Sequence, residues 1–238
     1  MEKPVYKRVL LKVSGEALAG DKHTGLDFAV IGQVCDILKE CVDMGVQVGL
    51  VIGGGNFWRG AKNSGGKMER SRADHMGMLA TVMNCLAVQD VCEQKGIPAR
   101  VMSAIAMPGV CETFDRDVAV RHLEKGMVTI FGAGSGCPYF STDTAAVLRA
   151  VEINADVILL AKNVDGVYTA DPVKDPTATK YDEITYDEVL AKHLMVMDIT
   201  ATSLAMDNHI PVLLFALKDP KNIVRALCGE NVGTVVHE

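Results

Sequence analysis

Residues 8–16 read Arg8-Val9-Leu10-Leu11-Lys12-Val13-Ser14-Gly15-Glu16, and the fold turns on how this stretch is understood. An unbroken apolar run marks a strand covered on both faces, as in a parallel sheet flanked by helices. A lysine inside that run is out of place, because a buried ammonium is costly unless it meets negative charge. One reading has Lys12 at a frayed strand end, its stem letting the ammonium reach water. The other makes it a cation poised over an anionic ligand beside the amides of Ser14 and Gly15.

Outward from this stretch, short apolar runs alternate with longer amphipathic ones, the pattern of parallel strands joined by crossover helices. Apolar residues recur at Phe28, Ile31, Cys35, Leu38 and Val42, one helix face, and Gly45 supplies the stop. Residues 46–52 form a second buried strand. A long helix is predicted over 72–95, then strand 99–103, helix 115–125, strand 127–131, helix 142–154 and strand 156–160. The last third is less regular: a polar stretch over 162–181, helices near 186–193 and 196–208, strand 212–215, a helix near 220–227 and strand 232–236. The expected fold is α/β, a three-layer sandwich with a mostly parallel central sheet flanked by helices. Two lobes, residues 1–160 and 161–238, share one continuous sheet.

Composition narrows the function. With 49% hydrophobic residues and 22 glycines against 8 prolines, the chain suits a compact α/β protein rather than a disordered or fibrous one. Net charge is -6 and no run of Lys and Arg is long enough to track a nucleic-acid backbone, so no nucleic-acid partner is expected. An anionic substrate must then be drawn by a few local cations and backbone amides. Seven cysteines without a C-x-x-C pair read as reduced, mostly packed thiols. Met1-Glu2-Lys3-Pro4 is not a signal peptide and no apolar run approaches membrane-spanning length, so a cytoplasmic location without membrane contact is expected.

In an open parallel sheet, ligands bind at the carboxyl ends of the strands. Glycine-rich stretches stand at such ends: Ser14-Gly15, Gly53-Gly54-Gly55-Asn56 and Gly132-Ala133-Gly134-Ser135-Gly136, with Asp165-Gly166-Val167-Tyr168-Thr169-Ala170-Asp171-Pro172 further on. Bare backbone lets amides approach phosphate oxygens closely. One such cluster is no more than a tight turn; three on one sheet point to more than one phosphate. Familiar motifs fail. Gly55 to Gly60 begins like a P-loop, but Ala61-Lys62 follows where Lys and Ser/Thr are required, and Cys137 stands where a dinucleotide fingerprint needs its third glycine.

The remaining candidates each have two readings. Arg59 holds a phosphate or is an exposed loop arginine. Asp74 caps the long helix or accepts two ribose hydroxyls, and Asp198 caps a helix or orients Lys12. His75, His193 and His209 show no ligand spacing, and no carboxylate cluster suggests a protein-held metal. Met76, Met78 and Met83 suit an adaptable core or a subunit interface. Together these features indicate phosphoryl transfer to a small acceptor.

Six stretches, taken in order, resemble the bacterial uridylate kinases (UMP kinases) of the amino acid kinase family: Lys12-Val13-Ser14-Gly15-Glu16-Ala17-Leu18; Gly53-Gly54-Gly55-Asn56 with Arg59; Arg72-Ala73-Asp74-His75-Met76-Gly77-Met78; Gly136-Cys137-Pro138-Tyr139-Phe140-Ser141-Thr142-Asp143; Val164-Asp165-Gly166-Val167-Tyr168-Thr169-Ala170-Asp171-Pro172; and Val196-Met197-Asp198. The likeness runs from about residue 7 to 236. It implies ATP with Mg²⁺ as donor, UMP as acceptor, UDP as product, a place in pyrimidine nucleotide synthesis, and a homo-hexamer. It further implies ATP contacts at Lys12, Val13, Ser14, Gly15, Gly55, Arg59, Asn163, Tyr168 and Asp171, with catalytic roles for Lys12 and Asp198. UMP contacts fall at Gly54, Asp74, Ser135, Gly136, Cys137, Pro138, Tyr139, Phe140, Ser141 and Thr142.

By the same resemblance, Gly20-Asp21-Lys22-His23-Thr24-Gly25 is where GTP would activate, and UTP would inhibit. The first lobe would bind UMP and carry the subunit contacts; the second would bind the ATP nucleoside. Ser141 replaces a common Thr and Cys137 a common Asn, while Lys162-Asn163 aligns with variable residues, so either could meet the nucleotide. The rival readings are another kinase of this fold, acting on an amino acid, a carbamate or an isoprenoid phosphate, and a nucleotide-binding storage or regulatory protein without turnover.

Overall fold

The computed structural model describes residues 3–59, 67–172 and 174–238. Among them run β1 (Arg8–Val13), β2 (Gln47–Ile52), β3 (Ala99–Ser103), β4 (Glu112–Thr113), β5 (Val128–Gly132), β6 (Val157–Lys162), β7 (Glu183–Thr185), β8 (Val212–Ala216) and β9 (Gly233–His237). They form one sheet in the order β4-β3-β5-β2-β1-β6-β8-β9-β7. Neighbours pair in parallel except β8 and β9, which are antiparallel.

Helices α1 (Phe28–Asp43), α2 (Arg70–Gln94), α3 (Arg116–Glu124), α4 (Thr142–Glu152), α5 (Tyr186–Ala191), α6 (Ile199–Asp207) and α7 (Asn222–Leu227) cover both faces. A 3₁₀ stretch, Gly15–Lys22, follows β1. The layering follows from strand periodicity, since alternate side chains enter opposite faces. Val9, Leu11 and Val13 pack with Ile31, Cys35 and Leu38 of α1, Cys85 and Val88 of α2, and Ile223 of α7. Leu10 faces the other way, with Leu123 of α3, Val147 and Ala150 of α4, Val189 of α5 and Ala201 of α6. Lys12 shares parity with Leu10, so the strand aims it at the layer that contains α4.

The expected sandwich is the observed one, with three differences. Strands β4 and β7 are two and three residues long, too short to leave a periodic trace. The 3₁₀ stretch is not among the expected elements, and a non-helical Gly20 interrupts it. The long helix starts at Arg70, capped by the Glu69 carboxylate, which accepts from Ser71 N at 2.9 Å and Arg72 N at 3.0 Å. Residue 160 lies within β6, between β1 and β8, so backbone pairing is continuous across the expected lobe boundary.

Candidate active site

Lys12 is 8% exposed, and its Nζ lies 2.6 Å from Asp143 Oδ1. The frayed-end reading therefore does not describe it. Coulombic attraction and a charge-assisted hydrogen bond both join the pair. Asp143 sits in the first turn of α4, where Ser141 Oγ caps the helix by accepting from Asp143 N at 3.0 Å and Thr144 N at 3.1 Å. A second ammonium, Lys162 Nζ, stands 3.4 Å from Asp143 Oδ2 and also donates to the Val196 carbonyl. Lys12 and Lys162 come from adjacent strands, β1 and β6.

Two ammoniums thus face the Asp143 carboxylate at the carboxyl ends of two central strands, with the Asp198 carboxylate close enough to act on Lys162. Burial opposes ionisation of Asp143, but Lys12 and then Lys162 overcome it and hold its pKa below the ordinary value. Burial also pulls the Lys162 pKa down, with Asp143 acting against that pull. Charge of this kind, away from water, suits an anion bearing several negative oxygens.

Glycine loops follow directly on β1 and β2, the strand of Lys12 and its neighbour. A Cβ on Gly15 would lie 2.2 Å from Gly53 O, and one on Gly54 would lie 2.8 Å from Gly77 O. The loops after β1 and β2 thus pass backbone against backbone, a contact open only to glycine. Two buried amides lock them: Asn84 Nδ2 donates to Gly53 O at 2.7 Å, and Asn56 Nδ2 to Asn84 Oδ1 at 2.9 Å. The Val13 side chain joins the core, which leaves only its backbone at the strand end. Arg59 pairs with Glu16, and Arg59, Gly55, His23 and Thr24 border one cavity of about 410 Å³. The 20–25 segment is therefore a neighbour of Arg59.

After β5 the chain enters the left-handed region at Ala133 (φ 61°) and Tyr139 (φ 73°). Each is held by a side chain of α2: Ala133 N donates to Thr81 Oγ1 at 2.8 Å, and Tyr139 N to Asp74 Oδ2 at 2.9 Å. Gly54, Asp74, Ser135, Phe140, Ser141 and Thr142 line a cavity of about 140 Å³. Of the residues expected at UMP, Tyr139 lines an adjoining larger cavity instead; Gly136 and Pro138 are half-buried and Cys137 is exposed. That cavity, about 1010 Å³, reaches Arg59, Asp74, Asp143, Lys162 and Asp198 and has an apolar wall formed by the chain from Val189 to Ile199.

Two expectations need correction. Asp74 does not cap the long helix, because Glu69 does; Asp74 stands one turn inside α2. Asp198 does cap a helix, accepting from Ala201 N at 2.9 Å, and it accepts from Ser141 Oγ and, at 3.1 Å, from Thr144 Oγ1. The carboxylate that meets Lys12 is that of Asp143, not Asp198. Asn163, Tyr168 and Asp171 lie beyond β6, with Tyr168 Oη donating to Asp165 Oδ1 at 2.9 Å. Sequence reasoning quoted Asp143 without giving it a role and left Lys162 undecided. The available signals were the Ser-Thr-Asp helix start and a second lysine ending an apolar strand.

The amino acid kinase family profile matches residues 7–216. The chain belongs to the amino acid kinase family. Among solved structures, this amino acid kinase is similar to the UMP kinase from Bacillus anthracis, at 38% identity over 98% of this chain and 96% of that one, with a TM-score of 0.94. The UMP kinase from Ureaplasma parvum is 36% identical over 98% and 99% of the two chains, TM-score 0.93. The uridylate kinase from Archaeoglobus fulgidus is 27% identical over 99% and 100%, TM-score 0.71. The nine-stranded sheet is the amino acid kinase fold, and the family makes the chain a phosphotransferase. Among the described residues, no helix is long and apolar enough to cross a membrane.

Proposed function

We propose that this amino acid kinase is a UMP kinase, moving the γ-phosphoryl group of ATP to UMP and giving UDP and ADP reversibly. The observation that carries the reading is the place of Asp74, on a wall shared by the small cavity and by the large one that reaches Asp143 and Lys162. A carboxylate there can accept ribose hydroxyls while the acceptor phosphate points at the buried cations. The likeness to two UMP kinases at 36–38% identity supports the same assignment.

In this reading a phosphate oxygen of UMP attacks the γ-phosphorus in line, that P–O bond forms as the bond to the β-phosphate oxygen breaks, and ADP leaves. The attacking oxygen is already ionised, so no general base is needed. Lys12 and the amides around Ser14 and Gly15 stabilise charge spreading over the moving group. Asp143 positions Lys12, and Asp198 holds Ser141 and Thr144 at the start of α4. Mg²⁺ would come with ATP as part of the substrate and would offset phosphate charge; among the described residues no cluster of His, Cys, Asp or Glu is suited to hold it, and its reluctant dehydration favours phosphate and water ligands. Gly55 and Arg59 meet the donor phosphates, and Asn163, Tyr168 and Asp171 the ATP nucleoside.

Activation by GTP at residues 20–25 and inhibition by UTP belong to the same proposal, supported by the contact of that segment with the Arg59 cavity. So does a cytoplasmic homo-hexamer serving pyrimidine nucleotide synthesis; Met76, Leu79 and Met83, exposed along one face of α2, suit a contact between copies. ADP release measured across UMP, CMP, dUMP, acetylglutamate and carbamate tests the assignment. Release with UMP foremost is expected. Preference for a non-nucleotide acceptor would reject it, and absence of turnover with every acceptor would favour a storage or regulatory protein.

A further inference from the structure

Arg70, one turn before Asp74 on α2, places its Nε 2.9 Å from Asp74 Oδ1 and 2.8 Å from Oδ2. Its guanidinium carbon lies 5.5 Å from the centroid of the Tyr139 ring. The Tyr139 N–H donates to Asp74 Oδ2 at 2.9 Å, in a left-handed backbone (φ 73°) that a non-glycine residue keeps only when its surroundings hold it. Two groups therefore meet at the Asp74 carboxylate, which is only 14% exposed: a half-exposed arginine within cation–π reach of an aromatic ring, and the amide behind that ring.

A carboxylate offers about four lone-pair sites. Arg70 Nε reaches both oxygens and the Tyr139 amide takes a second site on Oδ2, so the open site is on Oδ1, and Asp74 borders both cavities. The Tyr139 amide matters because a plain ion pair on a helix surface leaves both side chains free to change rotamer. Contact from Arg70 Nε on one side and the Tyr139 N–H on the other defines the plane of the Asp74 carboxylate.

We infer that Arg70 is a positioning residue for sugar selectivity. By holding Asp74 in one orientation, it leaves the open acceptor site on Oδ1 for the 2′-hydroxyl of a ribonucleotide. A 2′-deoxy acceptor leaves that site unpaired, at a cost in binding. The inference rests on the proposal that UMP is the acceptor and adds to it the residue that makes the reading of ribose strict.

The test compares kcat/KM for UMP and dUMP in the full-length chain and in Arg70→Gln. The native chain is expected to prefer UMP by on the order of tenfold or more, the effect of one missing hydrogen bond to a charged group. Arg70→Gln should lower kcat/KM for UMP about tenfold and that for dUMP no more than about twofold, so the ratio collapses. A purely structural role would depress both substrates equally and leave the ratio intact, which would overturn the inference, as would a native chain indifferent to the 2′-hydroxyl. Should Arg70→Gln fail to fold, Arg70→Lys keeps the ion pair without the planar fork and should still lower the ratio about threefold; an unchanged ratio there is equally fatal. If the native chain phosphorylates no uridine nucleotide, the UMP kinase proposal falls instead.

Discussion

The ammonium of Lys12, near the end of a central strand, and the carboxylate of Asp143, in the first turn of a helix one layer away, lie 2.6 Å apart inside the protein. The pair forms because Lys12 has the parity of Leu10 along β1 and so faces the α4 layer. The other carboxylate oxygen faces Lys162 at 3.4 Å, so one buried carboxylate holds two ammoniums from adjacent strands.

Replacing Lys12 removes the charge proposed to meet the moving phosphoryl group. Lys12→Ala should lower turnover by on the order of a hundredfold or more, as expected for loss of one preorganised stabilising charge, with ATP KM within about threefold. Steady-state ADP release checks this, and a near-normal rate would take Lys12 out of the mechanism.

Asp143 links the site to pH. Burial works against its carboxylate, yet Lys12 and Lys162 keep its pKa below 3.8. A carboxyl lowered on folding contributes stability that is complete above the unfolded value and fades as pH falls through the folded one. Urea unfolding should therefore show stability falling below about pH 4 in the native chain, and a shallower acid limb in Asp143→Asn. Parallel curves for the two proteins would show that this pair does not govern the acid response.

Asp74→Asn keeps the size of the side chain but halves its accepting oxygens. UMP KM should rise about tenfold, the scale of one lost hydrogen bond to a charged group, while ATP affinity is retained. Equilibrium titration of each nucleotide separates the effects, and unchanged UMP affinity would confine Asp74 to holding the Tyr139 amide.

Gly15 tests the packing of the loops rather than the chemistry. In Gly15→Ala the new Cβ would sit 2.2 Å from Gly53 O and 2.7 Å from Asn56 Oδ1, so the loops must separate. A loss of about 1 to 3 kcal/mol is expected in chemical denaturation, the usual scale for overpacking a tight site. A change below about 0.5 kcal/mol, typical of a surface substitution, would mean that the two loops are not in contact.

Much of this architecture is legible along the chain because it is local. Apolar runs at 8–13 and 212–216 and helix-face spacing from Phe28 to Val42 report which groups must leave water, and that pressure acts residue by residue. The glycine clusters are legible for the same reason, since a missing side chain is visible without knowing what lies opposite. Strands β4 and β7 escape because two or three residues carry no period, and the helix start at Arg70 escapes because Glu69 is an uncommon cap.

Which charges meet is another matter. Lys12, Asp74 and Asp198 stand out in the sequence as candidates, but their partners do not, because a charge interacts with whatever is within a few ångströms in space. Strand order and helix packing bring Asp143 and Lys162 to Lys12, send Asp198 to Ser141 and Thr144, and set Arg70 and the Tyr139 amide on Asp74. The linear sequence determined the sandwich, the glycine-lined rim and the family; the tertiary structure alone decided the pairing of its ionised groups, since hydrophobic patterning acts along the chain whereas Coulomb contact depends on distance across it.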